Sequence, residues 1–469
     1  MKVLFLAAEA VPYVKVGGLG DVAGALPAAL RRQGADVRLV MPRYGLVDPA
    51  RWGLRKVRDN FPVEMDWRRE ECQLWEAPPR PDGGSSDWFI ENQYFFGSRF
   101  QAYGDGDDVE QFVLFCRAAL EACRLEGWLP DVVHAHDWHT GAAIRLEWAA
   151  PQRAALVYTI HNLAHQGRSR PQGWPLLGVY DGRGSLNLMQ QAIHFADVVT
   201  TVSPTYAREI QTPEFGFSLD WALRERSDRL VGILNGLDGE VWNPATDKAL
   251  LAPYDAANPA GKKVCKQALQ REVGLPLLDV PLVGVVSRLD FQKGAELLVQ
   301  GLQEIVNFSD AQVVVLGSGD AGLEGALRHA SATHPGRIAA WLGFSASLSR
   351  RIYAGSDLFL MPSLFEPCGL SQLIALRYGS LPVARATGGL GDTIVDRRNP
   401  DGYGYLFGPY DRGAMLEALG RALADYRDPD SWKAAVARAM ALDFSWERAA
   451  VRYMEVYRQA CGYAGRVPG

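Results

Sequence analysis

Two cations stand five residues apart in "VSRLDFQKG", Arg288 and Lys293, where an apolar run gives way to a helical pattern. That placing suits a diphosphate, because charge developing on a leaving group needs fixed positive partners; the plain alternative is a solvated surface pair. Further on, "RATGGLGDT" sets Thr387, Gly388 and Gly389 after another apolar run. Glycines let a pyrophosphate approach backbone N–H groups and the positive end of the next helix. Between the two, in "LFEPCGLSQLIALRYG", Glu366 follows a strand and precedes a helix expected to start near Gly369. A carboxylate there can accept hydrogen bonds from sugar or ribose hydroxyls, or it is an ordinary first-turn acid favoured by the helix dipole. Cys368 reads as a small buried residue, since no histidine partner for a nucleophile stands out.

The first half holds "DVVHAHDWHTG" and "VYTIHNLAHQG". His134, His136, Asp137 and His139 raise the question of a metal, but a binuclear centre of the H-x-H-x-D-H kind is missed by one position. Recognition of a polyhydroxyl ligand fits better, and His161, also closing a strand, is expected to point into the same cleft. A satisfied core histidine is the alternative. Asp105 and Asp107 spell D-x-D in "YGDGDDVEQF", a pattern that holds divalent metal in many sugar transferases; a polar loop before a helix explains it as well. No metal and no cofactor are expected. The letters GGLGD occur twice, at Gly17–Asp21 and Gly388–Asp392, which points to two anion-friendly turns in two domains facing one cleft.

The elements that would position these residues are short β-branched runs alternating with helical patterns. "KVLFLAAE", "DVRLVMPR", "DVVHAHD", "ALVYTIHN", "DVVTTVS" and "LVGILNG" read as strands of one half; "LVGVVSRL", "AQVVVLGSG", "IAAWLGF", "DLFLMPS" and "LPVARAT" read as strands of the other. Continuous apolar runs imply parallel sheets covered on both faces, and doubly wound sheets bind ligands beyond the carboxyl ends of their strands. The candidate residues sit there. A chain of 469 residues accommodates two domains of roughly 200 residues each. The stretch "GLDGEVWNPATDKALLAPYDAANPAGKK" reads as their linker, and "SWERAAVRYMEVYRQACGY" as a last helix capped by Ser445.

A formal net charge of -5 argues against a general nucleic-acid binder. Six cysteines without a CxxC pair read as reduced thiols. The N-terminal "MKVLFLAAEAVPYVKVGG" is interrupted by Glu9 and reads as a buried first strand, not a signal peptide. No run nears the roughly 20 apolar residues of a membrane span. A cytoplasmic protein without a membrane partner is expected.

Jointly, "KVGGLGDVAGALP", "DVVHAHDWHTG", "TIHNLAHQG", "TVSPTYAREIQTPEFGFSLD", "GILNGLDGEVWNPATD", "SRLDFQKG" and "SLFEPCGLSQLIALRYGSLPVARATGGLGDT" resemble bacterial glycogen synthases and plant starch synthases over nearly the whole chain. The resemblance implies an α/β, GT-B fold: two Rossmann-like doubly wound domains facing a central cleft, with 1–240 on the acceptor side, 241–445 binding the nucleotide sugar, and a helix in 446–469 crossing back to the first domain. It implies glucose transfer from ADP-glucose to the non-reducing end of glycogen or a malto-oligosaccharide, with retention of configuration. Arg288 and Lys293 would neutralise the diphosphate with Gly388 and Gly389, and Lys15 would reach the donor beside Gly17 and Gly18. Glu366 would hold the sugar and ribose side, with Cys368, Gly369, Leu370 and Thr387 around it. Asp137 and His161 would line the glucosyl pocket, while Glu9, Asp21, Tyr94, Trp138 and Asn162 would meet sugar or acceptor.

Four positions depart from the family pattern: Val16 replaces a threonine, Gln190 a lysine and Ser218 a glycine, and Ile374 stands where the wider clan often has a second glutamate. Rival readings are a glucan phosphorylase-like enzyme on the same plan, a transferase using UDP-glucose, a nicotinamide-dependent dehydrogenase, and a non-catalytic glucan binder. The dehydrogenase would need G-x-G-x-x-G directly after the first strand, and "AEAVPYVKVGGLG" lacks that spacing.

Overall fold

The apolar runs of the first half do form strands of one sheet. In a computed structural model that describes residues 1–79, 85–104, 106–182 and 184–466, the first half carries β1 (Lys2–Leu6), β2 (Asp36–Pro42), β3 (Arg55–Met65), β4 (Arg68–Glu76), β5 (Trp88–Glu91), β6 (Val132–His136), β7 (Ala155–Ile160), a separate short ribbon of β8 (Arg168–Ser169) and β9 (Leu186–Asn187), then β10 (Val198–Thr201) and β11 (Leu230–Gly232), the six expected runs being β1, β2, β6, β7, β10 and β11. The sheet order is β11-β10-β7-β6-β1-β2-β5-β4-β3, and every pairing is parallel except those of β4 with β3 and β5. β1, β6 and β7 are buried on both faces, as parallel strands under helices must be. Besides β5 and the β8–β9 ribbon, the antiparallel β3 and β4 were not among the expected strands. Their exposed, charge-rich faces carry none of the continuous apolar signal that marks the central strands.

The second half contributes β12 (Leu282–Val286), β13 (Gln312–Gly317), β14 (Ile338–Leu342), β15 (Leu358–Met361), β16 (Leu381–Arg385) and β17 (Tyr405–Phe407), all parallel in the order β14-β13-β12-β15-β16-β17. In each sheet the first strand, β1 or β12, has its successor on one side and a later strand on the other. That reversal opens a crevice at the strand ends.

The chain divides into two compact units, one formed by Met1–Gly236 with the segment from Trp446 on, the other by Leu237–Ser445. The first division thus falls slightly before the expected boundary at 240. The Pro-, Ala- and Asp-rich stretch after it is no free linker. Tyr254 is buried and donates to the Tyr378 carbonyl (2.9 Å), and Asp247 accepts from the Tyr378 hydroxyl (2.6 Å) and from Arg350 (2.8 Å). Its end already forms the helix Ala260–Glu272. Composition marked a loop, but side chains within it supply part of the second core.

The last helix, Trp446–Tyr463, belongs to the first unit and buries Tyr453, Met454, Tyr457, Ala460 and Cys461. Its Arg32–Glu447 contact (2.6 Å) is exposed at both ends and adds little. More consequential is Tyr457, whose hydroxyl meets Nδ1 of the fully buried His134 at 2.8 Å. Nε2 of the same ring meets Thr159 Oγ1 at 2.7 Å. Among the described residues no helix is long and apolar enough to cross a membrane.

Tyr457→Phe leaves a buried imidazole nitrogen unpaired, which costs about 1–3 kcal/mol. Urea unfolding of the variant should show that loss; an unchanged midpoint would remove the hydroxyl's structural role.

Candidate active site

In the first unit Glu9, Asp137 and His161 follow β1, β6 and β7, three strands that are neighbours in the sheet. Glu9 is buried and its carboxylate accepts from the N–H of Val16 and of Gly17 (2.9 Å to Oε2). Burial pushes its pKa up, the two backbone donors pull it down, and Asp21 and Lys15 act on it in opposite directions more weakly. Lys15 pairs with Asp21 at 2.7 Å, half-exposed, and Gly18 opens the helix Gly18–Arg32. The anion seated against the first glycine turn is therefore the chain's own Glu9.

Asp137 opens the helix Asp137–Trp148 with a left-handed φ of 55°, uncommon for a residue with a side chain. The conformation lets Oδ1 accept from the N–H of His161 (2.8 Å) and Asn162 (3.3 Å), tying the ends of β6 and β7 together. Burial outweighs those donors and, with the charge of Glu9, raises the carboxyl pKa to about 7. His161 Nε2 lies 2.9 Å from His136 Nδ1, and burial lowers the His161 pKa to about 3. The Asn162 side chain accepts from the N–H of Ala164 (3.0 Å), and the Trp138 ring lies over His139 with centroids 4.1 Å apart. Tyr94 sits on the turn Gln93–Gly97 after β5, exposed, beside Phe95 and Arg99.

Among the described residues the histidines of "HAHDWH" form no metal-ligand group: His134 and His136 bond different partners, and Nδ1 of His139 has none. Asp107 is bidentate to Arg99 (2.7 and 2.5 Å), and Asp105 lies outside the described residues. A residue the sequence did not single out is Tyr103. Burial first, then the charges of Glu9 and Asp137, push its hydroxyl pKa up, which marks it as a neighbour of both carboxylates. An aromatic in a Gly/Asp loop gives no periodic signal by which to find it.

In the second unit Lys293 Nζ bonds both oxygens of Glu366, at 2.8 and 2.7 Å, and Ser363 Oγ donates to Oε2 at 3.1 Å. Lys293 follows β12 and Glu366 follows β15, so the pair spans the point where strand order reverses. Close backbone crossings bring them together. A Cβ on Gly294, where φ is 66°, would stand 2.0 Å from the Pro362 carbonyl oxygen. A Cβ on Gly388 would stand 1.9 Å from the Glu366 carbonyl oxygen, and one on Gly389 2.0 Å from that of Cys368. Gly389 donates its N–H to the Glu366 carbonyl (3.0 Å). The second glycine turn therefore holds the Glu366 backbone, where an N–H free for pyrophosphate was expected of Gly389. Thr387 is buried just before it, Cys368 is buried, and Gly369 and Leu370 precede the helix Ser371–Arg377. Arg288 stands apart from the pair, exposed, with its guanidinium on Asp290 (2.7 Å) and Gln292 (3.1 Å). Phe344, also not foreseen, is 91% exposed just after β14, the outermost strand and two strands from β12, and offers an aromatic face there.

Residues 2–225 match the family described as the starch synthase catalytic domain, and residues 280–425 match glycosyl transferases group 1. A glycogen synthase of Anaeromyxobacter sp. strain Fw109-5 is 47% identical, covering 98% of this chain and 99% of the relative; one of Geobacillus stearothermophilus is 44% identical over 98% of each. The chain belongs to the glycogen synthase family. It is a hexosyltransferase of the GT-B class. A solved structure described as the catalytic domain of starch synthase IV from Arabidopsis thaliana, bound to ADP and acarbose, is 35% identical with a TM-score of 0.90, covering 98% of this chain and 99% of that one. A sucrose-phosphate synthase from Thermosynechococcus elongatus (19% identity, TM-score 0.64) shares the fold alone. The phosphorylase-like reading is not favoured by these relatives.

Against the glycogen synthase pattern, Ser218 holds a left-handed conformation (φ 69°) next to Phe217 (φ 46°), the conformation for which glycine is better suited. Gln166 steadies the loop by donating to the Phe217 carbonyl (2.9 Å). Ile374 is buried in the second core, so no second carboxylate is presented there. Val16 is exposed and its N–H, not its side chain, serves Glu9.

Gly389→Ala forces a methyl into a backbone carbonyl, and overpacking of this kind costs about 1–3 kcal/mol or more. The expected result is a lowered melting temperature together with lost activity; retention of both would refute the crossing. Acid sensitivity follows from the buried imidazoles. His134, His136 and His139 are held neutral by burial, the last at about 3, and His161 acts in the same sense. Below the ordinary histidine value near 6.5 the unfolded chain takes up protons that the folded chain does not, so stability falls as pH is lowered. Asp137 opposes this, since its stabilisation is complete below about 4 and is lost as pH rises through about 7. Urea midpoints should drop steeply from pH 7 to pH 5, by about 1.4 kcal/mol per pH unit for each net proton, and more steeply still in Asp137→Asn.

Proposed function

We propose that this enzyme transfers glucose from ADP-glucose to the non-reducing end of an α-1,4-glucan, glycogen or a malto-oligosaccharide, with retention of configuration. The observation that carries the reading is the Lys293–Glu366 pair at the reversal of strand order in the second sheet, in a chain nearly half identical to curated glycogen synthases. A donor diphosphate competes for the ammonium of Lys293. As Lys293 turns to the phosphate, Glu366 is released to accept from hydroxyls of the donor, while Ser363 keeps it in place. One movement therefore supplies a cation to the leaving group and an acceptor to the sugar. Arg288, already at the surface, adds a second cation. The exposed ring of Phe344 provides a stacking face for the nucleobase.

The residues of the first unit serve the transferred glucosyl group. Asp137 and His161 offer hydrogen bonds from a largely dry setting, where each is stronger than in water. Lys15 supports the donor, and Glu9, Asp21, Tyr94, Trp138 and Asn162 meet sugar or acceptor. The glucosyl–phosphate bond breaks with its electron pair passing to the phosphate oxygen. The acceptor hydroxyl attacks from the same face and gives its proton to that oxygen. The reaction balances with ADP and an elongated glucan as products, and calls on no cofactor. Bacterial relatives are in keeping with a cytoplasmic enzyme.

Glucosyl incorporation into glycogen from ADP-glucose and from UDP-glucose tests donor and reaction together. ADP-glucose should dominate; preference for UDP-glucose, or phosphorolysis without a nucleotide sugar, would overturn the reading. Lys293→Ala and Glu366→Gln should each lose about a hundredfold in kcat, the scale of one charged transition-state contact. Turnover near that of the parent enzyme in either would release that residue from its role.

A further inference from the structure

We propose that His136 is the positioning residue for His161, fixing the His161 proton on Nδ1 so that the ring presents a hydrogen-bond donor to the sugar. The proposal rests on the reading that His161 meets the transferred glucosyl group. His136 is fully buried at the end of β6 and packs against two rings, Phe5 and His134, each with its centroid 4.1 Å away. Its backbone is clamped by Thr140, whose hydroxyl donates to the His136 carbonyl at 2.8 Å. The imidazole therefore has one orientation. Nδ1 faces His161 Nε2 at 2.9 Å with the two ring planes within 28° of one another, so the bond lies close to the plane of both lone pairs.

The placing of the protons follows from counting. One hydrogen is shared across the Nδ1–Nε2 contact. Burial keeps both rings neutral, so each carries a single N–H. His136 Nε2 is buried and has no hydrogen-bond partner among the described residues. A buried N–H without an acceptor is rarer and costlier than a bare lone pair. The proton of His136 accordingly resides on Nδ1 and is donated to His161 Nε2. That nitrogen of His161 is then an acceptor, and its own proton must reside on Nδ1. In this state His161 has no free lone pair on the ring with which to take a proton from an acceptor hydroxyl. It can only donate a hydrogen bond, which suits an oxygen of the sugar or of the breaking bond and excludes a role as general base.

Two measurements on the full-length enzyme test this. With ¹⁵N-labelled histidine, long-range ¹⁵N–¹H spectra distinguish protonated from bare ring nitrogens, and the signals missing in His161→Phe assign the residue among the eight histidines. A bare Nε2 and a protonated Nδ1 at His161 are expected; the opposite tautomer overturns the proposal whatever the activity. The second measurement compares three substitutions. His136→Asn returns an amide N–H to the position of Nδ1, His136→Gln places one nearer Nε2, and His136→Phe supplies none. His136→Asn should keep kcat within about threefold, while the other two lose on the order of tenfold or more with donor KM nearly unchanged. If kcat in the three instead follows their melting temperatures, His136 is structural only and the proposal fails. His161→Phe with full kcat would sink the underlying reading of His161, an outcome that leaves the tautomer assignment separately decided by the spectra.

Discussion

Close approach of the chain to its own glycine turns is the constraint on which both strand-end clusters depend. In the second unit the turn at Gly388 and Gly389 runs against the carbonyls of Glu366 and Cys368, leaving no room for a Cβ. Only then does Glu366 lie where Lys293 can reach it, and Lys293 is itself brought in by Gly294 passing the Pro362 carbonyl. The first unit uses the same five-residue turn differently, giving the Gly17 N–H directly to the side chain of Glu9. A glutamate beyond the first strand of one sheet, and another beyond the fourth of the other, are each fixed by a GGLGD turn through different atoms. The repeated letters mark two carboxylates to be held, each beside a cation.

Electrostatics then separates the two units. Glu366 keeps a partner on each side, lysine and serine. Among the described residues Asp137 is met by two backbone N–H groups alone, and burial raises its pKa to about 7. A carboxyl balanced near neutrality beside an imidazole held uncharged makes the first unit a site of hydrogen bonds more than of charge. The second unit, with Lys293 and Arg288, is where charge can be met.

Much of this was legible in the chain because the central strands are apolar without interruption, and a doubly wound sheet puts chemistry at strand ends. Asp137, His161, Lys293 and Glu366 could all be placed on that ground, whereas Glu9 was reached only through the family resemblance. What was not legible has a common cause. β3 and β4 expose one face and lack the apolar run. The stretch around Tyr254 has a loop's composition yet packs through one tyrosine and one aspartate. Tyr103 and Phe344 are single aromatics in irregular segments, found only once neighbours in space are known. The glycine turns were recognised as close-approach sites, but the sequence does not say whether the approaching group is a ligand or the chain itself. Here it includes the chain itself.

The first unit is assembled from two separated stretches of chain, with Tyr457 completing the surroundings of His134. During synthesis the ribosome makes some two hundred residues of an intervening body before the closing helix emerges. Until then Phe5, His134 and their neighbours lack one wall of their core, so a nascent chain halted after Ser445 carries an unsealed first body. The first body is sealed only once the helix Trp446–Tyr463 has been made.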